Sequence, residues 1–149
     1  MDNNKQIAIG ADHAGFELKE KIKKTLEDLE YKVIDFGTNS SDSVDYPLIA
    51  KEVASHVASK NPARGILICG TGIGMSIAAN KVKGIIAALC HNAETAKLAR
   101  SHNNSNILTL GGRTTDLESA KEIVKVWLET DFEGGRHQRR VQEIRELEK

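Results

Sequence analysis

Apolar and polar positions along the chain switch between two periods. Short runs dense in Ile, Val, Leu and Ala occupy Gln6–Gly10, Lys32–Phe36, Gly65–Cys69, Ile85–Cys90 and Asn106–Leu110. Most are continuously apolar, as expected of parallel strands covered on both faces. Between them the spacing becomes helical. Leu18, Ile22, Leu26 and Leu29 form one stripe, Ile49, Val53 and Val57 a second, and Leu117, Ala120, Val124 and Leu128 a third. Thr115 with Glu118 is the expected capping box of the third helix, and Asn92 the expected cap of the helix containing Thr95 to Arg100. Strand–helix units in series predict an α/β fold, a three-layer α/β/α sandwich of Rossmann-like type with a five-stranded parallel sheet. An extra charged C-terminal helix, about His137 to Lys149, follows the Gly134-Gly135 break. Its stripe (Val141, Ile144, Leu147) is narrow, which suits docking on another surface better than filling a core. The longest loop is Gly37–Asp45, polar and turn-rich. No repeat or interdomain linker interrupts the pattern, so residues 1–149 read as one domain.

Composition narrows the classes. A chain of 149 residues can bury roughly 68–70% of its extended surface, so its core needs no staples. Lys plus Arg and Asp plus Glu both number 21, and a balanced chain argues against nucleic acid or an anionic membrane as the main partner. The start, MDNNKQ, lacks the character of a signal peptide, and no apolar run approaches the ~20 residues of a membrane span. Cys69 and Cys90 form neither a CxxC pair nor a disulfide framework. The expectation is a reduced, soluble, cytoplasmic protein.

Open parallel sheets bind ligands beyond the carboxyl ends of their strands. That edge receives Asp12-His13 after the first strand, Cys69 and Gly70-Thr71-Gly72-Ile73-Gly74 after the third, Cys90-His91 after the fourth and Gly111-Gly112-Arg113 after the fifth; Tyr46 closes the loop after the second. The glycine segment is not a dinucleotide fingerprint, because GxGxxG needs a glycine where Met75 stands, and no GK[ST] follows to make a phosphate loop of the Walker kind. Two readings stand for it: a tight structural turn, or a helix N-terminus whose N–H groups meet an anion. Cys69 is either a small buried hydrophobe or a thiol activated beside that helix start. Cys90, His56 and His91 read as packing or surface residues. Asp12-His13 is a helix cap followed by a surface residue, or part of a site. Arg136 and Arg140, one turn apart in RHQRR, belong to a solvated face or together clasp a phosphate.

With those residues identified, the chain closely resembles the ribose-5-phosphate isomerases of type B, in the family shared with allose- and galactose-6-phosphate isomerases. The matching segments are GADHAGF, DYP at Asp45–Pro47, ILICGTGIGMSIAANK, His102-Asn103, GGR ending at Arg113, and EGGRHQRR. They follow the family order over nearly the whole chain. Some members carry the catalytic base as a glutamate in the glycine loop; Met75 after the glycines and the presence of Cys69 match the cysteine-base branch. The resemblance implies interconversion of ribose 5-phosphate and ribulose 5-phosphate through an enediolate, without metal or cofactor. It implies Cys69 as base, Thr71 and His102 as the ring-opening pair, and Gly70, Thr71, Gly72, Ile73 and Gly74 as the oxyanion site. Asp12, Tyr46 and Asn103 would hold sugar hydroxyls, and His13, Arg113, Arg136 and Arg140 the phosphate. The nearest rival is a six-carbon phosphosugar isomerase of the same chemistry. A non-catalytic phosphosugar-binding module would be expected to lack Cys69, Thr71 or His102, and a flavodoxin-like carrier would want more aromatic residues than one Trp, two Tyr and three Phe.

Topology adds an expectation. Each helix of such a sandwich returns the chain to the amino edge of the sheet, opposite Cys69. The helix before His102-Asn103 has about 11 residues and spans roughly 16 Å. His102 should therefore lie too far from Cys69 of its own chain to share one substrate. A homodimer with shared sites, alone or within a tetramer, resolves the conflict and gives the C-terminal helix a partner surface.

Overall fold

The computed structural model describes residues 5–148. Five strands, β1 (Gln6–Ala11), β2 (Lys32–Asp35), β3 (Gly65–Cys69), β4 (Ala87–Leu89) and β5 (Ile107–Gly111), form one parallel sheet in the order β2-β1-β3-β5-β4. Between and after them run α1 (Phe16–Asp28), α2 (Tyr46–Ala58), α3 (Ile73–Ala79), α4 (Ala93–Ser101), α5 (Leu117–Glu129) and α6 (Arg136–Glu146). Right-handed crossovers decide which face each helix covers. The steps β1 to β2 and β4 to β5 run one way along the sheet, so α1 and α4 share a face. The steps β2 to β3 and β3 to β4 run the other way and put α2 and α3 opposite.

The two faces carry separate cores because side chains alternate along each strand. Ile66 and Ile68 pack with Ile7, Ile9, Leu108 and Leu110 beneath α1, α4 and α5, where Ile22, Leu26, Val124 and Trp127 are fully buried. Leu67 and Cys69 point to the other side, against Val53, Val57, Met75 and Ala79 of α2 and α3. The β3 residues are buried throughout, and Cys69 is 5% exposed.

Several predicted boundaries move. β4 is Ala87–Leu89, shorter than Ile85–Cys90, because Asn80 and Asn106 side chains take up the backbone groups on either side of Ile86 and Ala87. The Thr115–Glu118 capping box does not form. Asp116 is the N-cap of α5, its carboxylate accepting from Ser119 N–H at 2.8 Å and Ser119 Oγ at 3.0 Å. A charged carboxylate one residue on is the stronger acceptor for the helix start. Asn92 caps α4 as expected, in a reciprocal pair with Thr95. The C-terminal helix begins at Arg136 and ends at Glu146; of its expected stripe Val141 is buried, while Ile144 and Leu147 are exposed, and Lys149 lies outside the described residues.

One buried charge fixes the β2 edge. Lys19 of α1 is fully buried, and its Nζ donates to Asp35 Oδ2 at 2.6 Å and to Glu20 at 3.0 Å. Asp35 also accepts from Lys23 at 2.8 Å and, through Oδ1, from Gly37 N–H at 2.8 Å. Burial pushes the Asp35 carboxyl up, but these donors outweigh it and the net displacement is downward. Removing Asp35 leaves the buried ammonium with only the half-exposed Glu20 carboxylate beside it. We expect Asp35→Ala to lower the unfolding free energy by about 3 kcal/mol in urea titrations, the low end for a buried pair because the Asp35 side chain keeps one-fifth exposure. Lys19→Met should cost less. The depressed carboxyl stabilises the fold fully above its ordinary value of 3.8 and ceases to do so as pH falls through its folded value, so Asp35→Asn should flatten the acid side of the stability profile.

Candidate active site

Three loops interlock at the carboxyl edge with almost no side-chain volume between them. Gly112 N–H donates to Cys69 C=O at 2.7 Å and Arg113 N–H to Gly70 C=O at 3.0 Å, so the loop after β5 is bonded to the loop after β3. A Cβ on Gly112 would stand 2.6 Å from Ala14 O, one on Gly15 2.4 Å from Ile68 O, and one on Gly111 2.8 Å from Thr71 Cα. Backbone therefore packs on backbone, which only glycine permits at these distances. Gly72, at φ +81°, turns the chain into α3.

Site side chains crown this cluster. Asp12 is 6% exposed; its Oδ1 accepts from Ala14 and Gly15 N–H at 3.0 and 3.1 Å, while Oδ2 has no hydrogen bond among the described residues. The cap and site readings of Asp12 thus fall on different oxygens. His13 Nδ1 accepts from Val44 N–H at 3.2 Å, which anchors the polar loop before α2. Tyr46, the first residue of α2, lays its ring over Gly74, where a Cβ would lie 2.5 Å from it. Arg113 passes over Gly70. Thr71 is exposed, and its Oγ1 accepts from Ile73 N–H at 3.2 Å. The N–H groups of Thr71, Gly72 and Gly74 have no partner among the described residues. Cys90 is as buried as sequence implied, with burial driving its thiol up to about 11, and His91 is exposed.

The remaining expected residues gather elsewhere. His102 is the C-cap of α4 and Asn103 follows it, just before β5 begins. Gly65 pairs with Ile107 and Cys69 with Gly111, so the strand alone separates the two edges by roughly 13 Å at 3.3 Å per residue. Arg136 and Arg140 belong to the His102 group, because the ring of His137 beside them stacks on His102 at 4.0 Å and 15°. Glu133 N–H donates to Ser101 C=O at 3.0 Å, and Arg100 Nε to Thr130 C=O at 3.2 Å, clamping the segment before α6 onto the end of α4. His137 was not among the expected site residues. Its signal was the stripe of α6, which runs back from Val141 by one turn to a buried His137.

The glycine packing yields a direct test. At Gly72 a Cβ would meet Leu89 at 2.6 Å and Leu110 C at 2.9 Å on a left-handed backbone. Gly72→Ala should cost at least about 1–2 kcal/mol from the backbone conformation alone, read from urea midpoints.

The comparisons with known proteins agree with this fold. The family model described as Ribose/Galactose Isomerase matches residues 7–144. Ribose-5-phosphate isomerase B of Escherichia coli is 51% identical over 144 residues, covering 97% of each chain. A solved ribose-5-phosphate isomerase B from Clostridium thermocellum superposes with a TM-score of 0.95 at 52% identity, covering 96% of this chain and 97% of that one. The Mycoplasma genitalium enzyme of that name, solved with bound ribulose 5-phosphate, gives 0.92 at 45% identity over 96% and 95%. The chain belongs to the ribose/galactose isomerase family.

Proposed function

We infer that this chain interconverts D-ribose 5-phosphate and D-ribulose 5-phosphate, with Cys69 as the base. The observation that carries this is the Cys69–Gly74 segment: a thiol at a buried strand end, followed by N–H groups without partners among the described residues, beneath Asp12, His13, Tyr46 and Arg113. Half identity to an enzyme named for this substrate supports the choice of a pentose phosphate.

Each step moves a proton. The aldose arrives as a closed ring, so O1–H must lose a proton while the ring oxygen gains one; His102, with Thr71, performs that opening. The Cys69 thiolate then takes the proton from C2. Negative charge develops on the substrate oxygens, where the N–H groups of the Gly70–Gly74 segment stabilise it. The thiol returns its proton to C1 and the hydroxyl proton passes from O2 to O1, leaving the ketose and the thiolate. Asp12, Tyr46 and Asn103 hold hydroxyls, and His13, Arg113, Arg136 and Arg140 the phosphate.

Two groups at opposite sheet edges serve one substrate when a second copy supplies His102, Asn103, Arg136 and Arg140. The exposed Leu48, Ile73 and Ile77 beside the glycine loop offer that copy an apolar surface.

Cys69→Ala should abolish turnover while calorimetry still detects phosphosugar binding; residual turnover above background would take the base role from Cys69. Mixing inactive Cys69→Ala with inactive His102→Ala under subunit exchange should restore roughly a quarter of wild-type sites. Verified mixed dimers without activity would confine the residues to one chain. Arg136→Ala and Arg140→Ala should each raise KM and weaken inorganic phosphate binding with a smaller effect on kcat. Unchanged values for both would return them to the solvated surface.

A further inference from the structure

His137 lies in the middle of the most basic stretch of the chain, yet it is 8% exposed while Arg136 and Gln138 on either side are open to solvent. No step above uses it. Its ring lies flat on that of His102, with centroids 4.0 Å apart and planes within 15°. Its Nε2 is 3.7 Å from Glu133 Oε1, and the Glu133 backbone is bonded to Ser101, the residue before His102. The α4 terminus, the segment before α6 and the first turn of α6 thus converge on one imidazole face.

The charges around this pair are unequal. Burial lowers the affinity of His137 for a proton, and His102, Arg136 and Arg140 lower it further against the opposing pull of Glu133. Displaced below an ordinary value of 6.5, His137 is neutral at pH 7. A flat aromatic face against the His102 ring limits its rotation.

We propose that His137 is a positioning residue: its flat contact holds the His102 ring in the orientation from which it delivers a proton to the sugar ring oxygen. This rests on the assignment of ring opening to His102. A metal site built from the same three residues fits less well, although their ligand atoms lie within 4.8 Å of one another. Imidazole lone pairs lie in the ring plane, so near-parallel rings direct them along separate lines and not to one ion at 2.0–2.1 Å. Arg136 and Arg140 add two positive charges beside it.

The chemistry supplies a way to separate positioning from folding. A 5-phosphorylated 2-ketopentose has no hydroxyl placed to close a five- or six-membered ring, so exchange of its C1 hydrogen with solvent deuterium needs the base but not ring opening. His137→Ala should reduce kcat/KM for ribose 5-phosphate on the order of 10- to 100-fold, the scale of a misplaced catalytic group, while C1 exchange of ribulose 5-phosphate stays within about twofold of wild type. His137→Phe, which keeps the flat contact, should recover most of the loss. As pH falls below the imidazole range, the ratio of aldose turnover to exchange should fall in wild type and stay level in His137→Phe, which has no proton to gain. Equal loss of both reactions in His137→Ala and His137→Phe, with melting temperatures preserved, overturns the proposal, and so does no loss of either. Should His137→Ala fail to fold, His137→Asn and His137→Phe carry the same comparison. Selective inhibition of wild type by added zinc, reversed by chelator and absent in His137→Ala, would replace positioning with metal binding. His102→Ala, assayed alongside, isolates the underlying assignment: if it retains aldose turnover, the role of His102 fails independently of His137.

Discussion

A parallel sheet has two unlike edges, and nearly everything in this molecule follows from which edge a residue reaches. Strands deliver their carboxyl ends to one side, where Asp12, Cys69 and Gly111 arrive together, and helices return the chain to the other, where His102 arrives. Backbone hydrogen bonding fixes the register, so no local rearrangement carries His102 across roughly 13 Å of strand. The constraint is the ground for proposing a second copy of the chain at each site, and it makes the His102 group a unit, tied to α6 through His137.

The carboxyl edge is organised by the absence of side chains. Gly15, Gly72, Gly111 and Gly112 allow three loops to approach until backbone meets backbone, and the bonds from Gly112 and Arg113 to Cys69 and Gly70 close the cluster. Polar side chains are confined to the rim, and Cys69 joins them from the α2–α3 side of the sheet. At the amino edge long side chains organise the structure instead. Arg100 binds the carbonyls of Thr130 and Ser105, and Trp127 Nε1–H donates to Ser105 Oγ at 2.8 Å beneath them.

Much of this was legible in the chain because apolar period and strand polarity are local properties. The continuous runs located all five strands within a few residues, and Ile66–Leu67–Ile68 read as covered on both sides because they are. The strand-edge rule alone gathers Asp12, His13, Tyr46, Cys69 and Arg113, and it sets His102 apart. What escaped depends on geometry between distant segments. Competition between Thr115 and Asp116 for the cap turns on one residue of helix phase. The stack of His137 on His102 joins positions 35 apart in sequence through a glycine-bent segment that carries no period, and the contact of Val44 with His13 spans 31. Lys19 would pass for a solvated helix lysine until Asp35 is seen opposite it.

That bond from Val44 N–H to His13 Nδ1 decides more than the placement of a loop. An imidazole nitrogen that accepts a hydrogen bond keeps its lone pair, so the proton of the neutral ring is assigned to Nε2, the nitrogen left to face a ligand. An anion accepting from Nε2 favours the same tautomer that holds Val44. With the phosphate placed at His13 as proposed, loop order and anion occupancy there would be linked, each strengthening the other by the same factor. The polar segment from Gly37 to Asp45, which supplies no charged group to the proposed phosphate site, thereby acquires a share in its affinity through one backbone amide.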